Sequence, residues 1–314
     1  MTGGAGFIGS NFVNLLLQGQ LGLRCSRVSV VDKLTYAANL DNLNPFIESG
    51  AISFVQGDIC DPLLMNNLIS EHDAIINFAA ESHVDNSILD ATEFVQTNVV
   101  GVQNILSSVA SGARVRMIQV STDEVYGSIN NGSWTEDSTI KPNSPYSASK
   151  ASGDLLALAS HRTHDLDVVI TRCSNNYGPW QNQEKLIPKL ILSALQDQPL
   201  TLYGNGANIR EWIHVYDHCR AIVWTLLNGI SGEVYNIGSS ANFTNLEIAN
   251  KVLASLPESK SKIEFIEDRL GHDFRYSVDD SKIRENGVSN EINFEDGILD
   301  TIKWYADKYQ LENK

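Results

Sequence analysis

Residues 2–10 carry the sequence TGGAGFIGS, and this stretch predicts the fold of the chain. Its glycines Gly3, Gly6 and Gly9 are three residues apart, and apolar residues at helical intervals follow them. Glycines at this spacing allow a tight turn, the close approach of a pyrophosphate and close packing of the helix, whose N-terminus then faces the phosphates. The stretch therefore predicts a turn and a helix that bind a dinucleotide.

The segment after this motif indicates which dinucleotide binds. Apolar residues 28–31 predict a strand, and Asp32 ends it, at about twenty residues from the last glycine. A carboxylate at this position binds the adenosine ribose and repels a 2′-phosphate. We therefore expect NAD rather than NADP.

Short apolar runs and helical patterns alternate along the chain, as in a doubly wound α/β fold. Strands are predicted at residues 28–31, 52–55, 74–78, 115–120 and 168–172, and helices at residues 92–108 and 146–160. This order predicts a parallel, Rossmann-type NAD-binding domain over residues 1–172. Residues 173–314 are predicted to form mainly a smaller substrate-binding lobe, with a return to the main sheet near residues 212–238.

A glycine motif of this type should follow a buried central strand, but only Met1 and Thr2 precede Gly3. A sheet without that strand leaves buried backbone groups unpaired, at about 1–3 kcal/mol each. We therefore expect apolar, β-branched residues upstream of Met1.

Two polar segments, STDEVYG and PYSASK, predict the chemistry. Tyr146 and Lys150 are four residues apart, so they share one face of a helix. A lysine ammonium beside a phenol lowers the pKa of the phenol, which can then act as a base. Thr122, Asp123 and Glu124 follow a predicted strand, and parallel sheets bind ligands at the C-terminal ends of their strands. We expect a base, an acid and a second carboxylate at one site.

The composition argues against several classes of function. A net charge of -15 argues against nucleic acid and anionic membranes as partners. The four cysteines are scattered, without a CxxC pair, which is typical of free thiols in a reducing compartment. We expect a soluble cytoplasmic protein without a membrane-spanning segment.

Together these segments resemble the extended short-chain dehydrogenase/reductase family, and within it the nucleotide-sugar 4,6-dehydratases. The resemblance covers nearly the whole chain and includes DKLTYAANLDNL, NFAAESHVDNS, SNNYGP, YGNGANIREW and RLGHDFRY. STDEVYG is the discriminating segment, because epimerases of this family typically have no Asp-Glu pair there. The resemblance implies conversion of dTDP-glucose to a 4-keto-6-deoxy sugar in deoxysugar (rhamnose-type) biosynthesis, with UDP-glucose as an open alternative.

The resemblance also implies a role for each catalytic residue. Tyr146 takes the proton of the carbon-4 hydroxyl while NAD takes the hydride, and Lys150 holds Tyr146 and the nicotinamide ribose. Thr122 binds the carbon-4 oxygen. Glu124 then removes the carbon-5 proton, and Asp123 protonates the hydroxyl that leaves carbon 6. Environment must separate the pKa values of these two carboxyls.

The remaining predicted contacts surround these groups. For NAD we expect contacts with Gly3, Gly6, Phe7, Ile8, Gly9, Asp32, Lys33, Leu34, Thr35, Asp58, Ile59, Ala79, Ala80, Ser82, Tyr146 and Lys150. For the nucleotide sugar we expect Ser82, His83, Thr122, Asn175, Lys185, Leu186, Pro188, Tyr203, Asn205, Arg210, Arg269 and His272. The resemblance further implies a homodimer formed through the helices at residues 92–108 and 146–160.

Other interpretations remain at this stage. Tyr146 and Lys150 can be a surface pair on an amphipathic helix, and Asp123 and Glu124 can be turn and cap residues. His214 and His218 lie four apart, which can indicate a metal site, but a third ligand is lacking and we expect no metal. A 4-epimerase shares the fold, NAD, Tyr146 and Lys150. A catalytically silent NAD-binding regulatory protein is a more remote alternative.

Overall fold

Strands and helices alternate through the first two thirds of the protein, whose computed structural model describes residues 1–111 and 114–312. The strands are β1 (Ser29–Asp32), β2 (Ser53–Gln56), β3 (Ala74–Asn77), β4 (Arg116–Thr122), β5 (Val168–Cys173), β6 (Asn175–Tyr177), β7 (Leu200–Tyr203), β8 (Ile209–His214), β9 (Val234–Ile237), β10 (Asn242–Thr244) and β11 (Ile263–Ile266). The helices are α1 (Phe7–Leu17), α2 (Asn44–Glu48), α3 (Pro62–Ile69), α4 (Val84–Leu89), α5 (Thr92–Val95), α6 (Val102–Ala110), α7 (Pro145–His164), α8 (Leu186–Leu195), α9 (Val215–Asn228), α10 (Asn245–Ser255), α11 (Ser281–Arg284) and α12 (Phe294–Glu312).

The main sheet is parallel, as predicted. One part of it has the strand order β3-β4-β5-β9, and the other is the pair β1-β2. The first residues of the chain join the two parts, because Thr2 bridges both Val31 and Asn77 in parallel register. The Thr2 hydroxyl also donates to Asn77 Oδ1 at 2.5 Å. Residues 1–3 thus lie where the central strand is expected, and the prediction of apolar residues upstream of Met1 stays a prediction.

Helices cover both faces of this sheet because successive strand residues point to opposite sides. Ile118 of β4 packs in one apolar cluster with α1 and α9. The preceding residue, Met117, packs in a second cluster with α3, α6 and α7. Covered on both faces, β4 and β5 are buried over almost their whole length, as central parallel strands are.

A third apolar cluster lies in the C-terminal part of the chain and is built around α8, α10 and α12. Two small sheets accompany it, with the strand orders β10-β8-β6 and β11-β7. The chain leaves this region through α9, which packs against α1, and β9 then pairs with β5. The division at residues 172 and 173 remains our interpretation of the domain organisation.

The helix predicted at residues 146–160 is longer than expected and begins with a capping box. The Ser144 side chain accepts from the backbone N–H of Ser147, whose own side chain accepts from the backbone N–H of Ser144. Asp165, in a left-handed conformation, ends the helix. The helix predicted at residues 92–108 contains a π-helical segment at Gln96–Gly101, which apolar periodicity did not indicate.

In the described part of the chain, no helix has both the length and the hydropathy that crossing a bilayer requires.

Gly153 lets α7 approach the π-helical segment closely. A Cβ atom at this position would lie 2.7 Å from the carbonyl oxygen of Asn98. Such a distance is too short for a carbon beside a backbone atom, so an added methyl group must push the two helices apart.

We predict that Gly153→Ala lowers the thermal unfolding midpoint. An exposed helical glycine gains about 1 kcal/mol on replacement by alanine, but overpacking at this contact costs about 1–3 kcal/mol. Ser152→Ala is the control, because that hydroxyl bonds only within the helix, to the carbonyl of Ala148. A midpoint raised by Gly153→Ala contradicts the close contact.

Candidate active site

A cleft of about 340 Å³ opens at the C-terminal ends of the main-sheet strands. Ligands bind at this edge in doubly wound folds. The predicted site residues that line it are Gly3, Gly6, Phe7, Ile8, Gly9, Asp32, Lys33, Thr35, Asp58, Ile59, Ala79, Ala80, Ser82, Thr122, Glu124, Tyr146, Lys150, Asn175, Lys185 and Leu186. The cleft therefore brings together residues from both predicted sets.

The glycine loop at one end of this cleft has the shape that a dinucleotide requires. A Cβ atom on Gly3, where φ is +64°, would lie 2.5 Å from the Ala79 nitrogen, so only glycine fits. Helix α1 begins after Gly6 without a side-chain cap, which leaves its first N–H groups available to an anion. Asp32 accepts from Ala5 N–H at 2.9 Å and from Leu34 N–H at 2.8 Å.

Buried polar atoms without partners also line the cleft. Within the described residues, five such atoms make no hydrogen bond in the protein: the hydroxyls of Ser121 and Ser174, and the oxygens Asn175 Oδ1, Gln181 Oε1 and Glu184 Oε1. Buried polar groups are normally satisfied, so these atoms indicate a polar ligand. Together with the glycine loop they fit NAD and a sugar beside it.

Tyr146 and Lys150 are only 9% and 4% exposed, so the surface-pair interpretation is wrong. The Lys150 ammonium donates to the Val120 carbonyl at 2.7 Å. The expectation that Lys150 lowers the pKa of Tyr146 is not met by the protein alone. Burial, and then the negative charge of Glu124, raise the pKa of Tyr146 well above its usual value. Burial likewise lowers the pKa of Lys150.

Asp123 and Glu124 open a single 3₁₀ turn, Asp123–Tyr126, at the end of β4. Thr122 caps this turn, because its side chain accepts from the Glu124 N–H at 3.3 Å. The Thr122 hydroxyl in turn donates to Asp123 Oδ1 at 3.2 Å. Asp123 and Glu124 are thus turn residues, and the same turn holds Glu124 in the cleft that contains Tyr146.

The two neighbouring carboxyls have different electrostatic surroundings. Burial raises the pKa of Asp123 well above its usual value, and the charges of Glu124 and Glu211 raise it further. Burial also raises the pKa of Glu124, but nearby arginines and a lysine oppose that rise. Asp123 is therefore the carboxyl that keeps its proton to higher pH, and Glu124 ionises first.

Those cations are Arg210, Arg269 and Lys185. Arg210 is buried and donates to backbone carbonyls. Arg269 donates to Asp85 Oδ1 at 3.2 Å, and Lys185 donates to the Ser82 carbonyl at 2.8 Å. They form a positive patch near Glu124 in an acidic chain, as an anionic diphosphate requires.

Some predicted residues lie outside the cleft lining: Leu34, His83, Asp123, Pro188, Tyr203, Asn205, Arg210, Arg269 and His272. Leu34 packs against the apolar cluster of α1, and Pro188 is buried in α8. His83 accepts from the Asn86 N–H at the start of α4, and Asn205 accepts from the Ala207 N–H in a turn. The predicted ligand contacts of Leu34 and Pro188 stay predictions.

Three of these residues gather in a separate cluster. The Tyr203 hydroxyl donates to Asp85 Oδ2 at 3.0 Å, and Arg269 contacts the other oxygen of the same carboxylate. The Tyr203 and His272 rings lie 6.0 Å apart, edge to face. His272 also contacts Asp268 at 2.6 Å. The cluster fits a nucleotide base or sugar, and its role stays a prediction.

Sequence reasoning missed Tyr276, which is distant in sequence but contacts the turn Asp123–Tyr126, called the catalytic turn below. Its hydroxyl donates to Asp273 Oδ2 at 2.5 Å and lies 3.5 Å from Glu124 Oε2. It also missed Glu184, whose carboxylate lines the cleft. Tyr276 lies in the RLGHDFRY segment, but no local pattern indicates a partner 152 residues away.

The histidines considered for metal binding have other contacts. His218 is buried, and its Nδ1 lies 2.8 Å from Asn176 Oδ1, while burial lowers its pKa to about 3. His214 caps α9 by accepting from the Tyr216 N–H. In the part of the chain that the structure describes, no three potential ligands come together.

We predict that Asp123 is protonated at neutral pH in the unliganded protein. Burial and the adjacent negative charges favour the neutral acid. The infrared spectrum should contain the carbonyl band of a carboxylic acid, and Asp123→Asn should remove it. Glu247→Gln is the control, since hydrogen bonds from Thr244 lower the pKa of exposed Glu247. If Asp123→Asn leaves the band unchanged, Asp123 is ionised.

Comparison with known proteins gives a consistent result over the full chain. The model of the GDP-mannose 4,6 dehydratase family matches residues 1–301. A dTDP-glucose 4,6-dehydratase of Streptomyces niveus is 52% identical over 309 residues, covering 98% of this chain and 92% of that protein.

Solved structures support the same family assignment. The crystal structure of DesIV (dTDP-glucose 4,6-dehydratase) from Streptomyces venezuelae with NAD and TYD bound matches with a TM-score of 0.95 and 50% identity, covering 99% of this chain and 97% of that one. A UDP-glucose 4-epimerase from Thermotoga maritima matches with a TM-score of 0.89 but only 25% identity, over 98% of each chain. The chain therefore belongs to the extended short-chain dehydrogenase/reductase family, in the branch that contains the dTDP-glucose 4,6-dehydratases.

Proposed function

We propose that this protein is an NAD-dependent dTDP-glucose 4,6-dehydratase, a lyase that forms dTDP-4-keto-6-deoxyglucose for deoxysugar biosynthesis. One observation carries the proposal: two adjacent carboxyls with different electrostatic surroundings, Asp123 and Glu124, share a turn beside Tyr146. An epimerase needs only the oxidation at carbon 4, which Tyr146 supports, and the reduction of the same carbon from the opposite face. The elimination of water needs an acid and a base as well.

Oxidation of the sugar begins at Tyr146. The phenol oxygen takes the proton of the carbon-4 hydroxyl, and the Thr122 hydroxyl, which lines the same cleft as Tyr146, orients the carbon-4 oxygen. Lys150 holds its ammonium beside this site through the Val120 carbonyl. Because burial favours the neutral phenol, positive charge near Tyr146 is needed to lower its pKa.

Bound NAD would supply a hydride acceptor for carbon 4, a hydride donor for carbon 6 and the positive charge of its nicotinamide ring. We propose that the glycine loop holds its pyrophosphate and that Asp32 binds its adenosine ribose. The orphaned polar atoms of the cleft then find partners on the cofactor and the sugar.

Elimination of water depends on the turn after β4. The 4-keto group acidifies the carbon-5 proton, and Glu124 removes it. Asp123 gives its proton to the carbon-6 hydroxyl, which departs as water. When a hydride adds to carbon 6, Glu124 returns its proton to carbon 5. Tyr146 then releases the carbon-4 proton to solvent, and Asp123 regains a proton from solvent. Arg210, Arg269 and Lys185 favour the ionised form of Glu124 and balance the diphosphate of the substrate.

We further propose that the protein is a cytoplasmic homodimer. All four cysteines are free, as in proteins of reducing compartments. Two adjacent helical segments expose large apolar side chains, namely Val95, Val100 and Leu155. Pairing of these faces around a two-fold axis removes them from water.

Incubation with dTDP-glucose, UDP-glucose and GDP-mannose in parallel tests the function. A 4-keto-6-deoxy product from dTDP-glucose, formed at the highest kcat/KM, supports the proposal. Preference for UDP-glucose redirects it to the uridine nucleotide. An epimerised product without loss of water refutes it.

We predict that Tyr146→Phe reduces turnover by at least about a hundredfold, because the carbon-4 proton then has no acceptor. Tyr235→Phe is the control, since Tyr235 is equally buried but bonds the Ile230 N–H away from the cleft. Near wild-type turnover by Tyr146→Phe contradicts the assignment of the base.

We predict that Glu124→Gln oxidises the sugar but eliminates water slowly. The absorbance of the reduced cofactor should therefore rise transiently after rapid mixing with substrate. Glu136→Gln is the matched control, because Glu136 is a partly buried carboxylate that binds the Asn236 N–H. If Glu124→Gln gives no such rise and Tyr146→Phe does, the two roles are reversed.

We predict that Leu155→Asp shifts the protein from dimer to monomer in sedimentation velocity experiments, because a charge then replaces exposed apolar surface at the proposed interface. Leu155 is 55% exposed on α7. Leu299→Asp, at a similarly exposed position on α12, should leave the dimer intact. Equal sedimentation of the two variants rules out this interface.

A further inference from the structure

A buried ion pair lies behind the cleft. Arg172 of β5 donates through Nε to Asp154 Oδ2 of α7 at 2.9 Å, and the two side chains are 2% and 0% exposed. Burying two charges costs desolvation energy that their attraction often fails to recover. Stability alone is therefore a weak reason for this pair, and its position relative to the catalytic elements suggests another.

Hydrogen bonds link the Asp154–Arg172 ion pair to the catalytic turn. Arg172 Nη1 donates to the Tyr126 hydroxyl at 2.9 Å, and that hydroxyl donates to Asn236 Oδ1 at 2.8 Å. The guanidinium also lies over the Tyr126 ring, 4.8 Å from its centroid. Tyr126 is the last residue of the turn that carries Asp123 and Glu124. The backbone of the two carboxyls is thus anchored through one tyrosine.

The other residue of the ion pair, Asp154, belongs to α7, which also carries Tyr146 and Lys150 and is called the catalytic helix below. Asp154 lies one helical turn after Lys150 and two turns after Tyr146, so the three residues share a face of α7. The negative charge of Asp154 raises the pKa of Lys150 and opposes the effect of burial. In the described residues, Asp154 Oδ1 has no hydrogen-bond partner, so the carboxylate keeps much of its charge unshared.

We propose that Asp154, Arg172 and Tyr126 are positioning residues that fix the catalytic helix and the catalytic turn relative to each other. The inference rests on the proposed function, because it assigns oxidation to the helix and elimination to the turn. Asp154, on the catalytic helix, supports oxidation through its effect on Lys150. Tyr126, in the catalytic turn, supports elimination by holding the backbone of Asp123 and Glu124. Arg172 connects the two.

Two variants separate these effects. Tyr126→Phe removes one hydroxyl, and elimination should slow by about tenfold, the equivalent of about 1.4 kcal/mol in the barrier. Reduced cofactor should then accumulate transiently in a single turnover, while the rate of oxidation stays unchanged. Asp154→Asn keeps the shape but not the charge, and oxidation should slow without such accumulation. A purely structural role predicts no split between the two half-reactions.

The control is Tyr235→Phe, in which a buried tyrosine loses a hydrogen-bonded hydroxyl outside the network. It should leave both half-reactions at their wild-type rates.

Amide hydrogen exchange gives a second measurement that needs no substrate. Tyr126→Phe should speed exchange in residues 123–127, and Tyr235→Phe should not. This readout also detects a variant that fails to fold, because exchange then rises throughout the protein.

The outcomes distinguish the inference from the proposed function. If Tyr126→Phe leaves elimination at the wild-type rate, or if both variants slow both half-reactions equally, the positioning role is refuted. If the wild-type protein forms no keto sugar from any nucleotide sugar, the proposed function fails. The amide exchange measurement still tests whether Tyr126 anchors the catalytic turn. Unchanged exchange in residues 123–127 of Tyr126→Phe refutes that anchoring.

Discussion

Catalysis in this fold depends on the contact between α7 and the end of β4, which the Lys150 ammonium makes with the Val120 carbonyl at 2.7 Å. Around this contact Tyr146, Lys150 and Asp123 are all buried. Burial therefore shifts the pKa of Tyr146 and of Asp123 upward and that of Lys150 downward, so that all three shifts favour neutral forms. Low polarity strengthens every charge interaction in such a site, which is why a few cations suffice to select the ionised carboxyl.

Much of this arrangement could be predicted because it is local in sequence. The glycine loop, the Tyr146–Lys150 spacing and the Asp123–Glu124 pair each follow from a few adjacent residues and from the periodicity of strands and helices. The parallel sheet follows from their alternation. The helix predicted at residues 146–160 lies within α7, Pro145–His164.

The features that the sequence could not predict depend on contacts between residues far apart in the chain. The direction of the Tyr146 pKa shift depends on burial and on Glu124, which spacing on a helix does not reveal. Tyr276 meets Glu124 across 152 residues, and the π-helical segment at Gln96–Gly101 has no periodic signature. Leu34, two residues after Asp32, packs against the apolar cluster of α1, because its position in the sequence does not determine which way its side chain points.

The buried hydrogen bond between Tyr126 and Asn236 joins residues 110 positions apart. Asn236 belongs to β9, the last strand to join the main sheet. During synthesis on the ribosome, the glycine loop, the catalytic helix and the catalytic turn all emerge long before it. A nascent chain can therefore assemble the first part of the sheet while its turn still lacks this anchor. The hydrogen bond that anchors the turn can therefore form only after residue 236 has been synthesised.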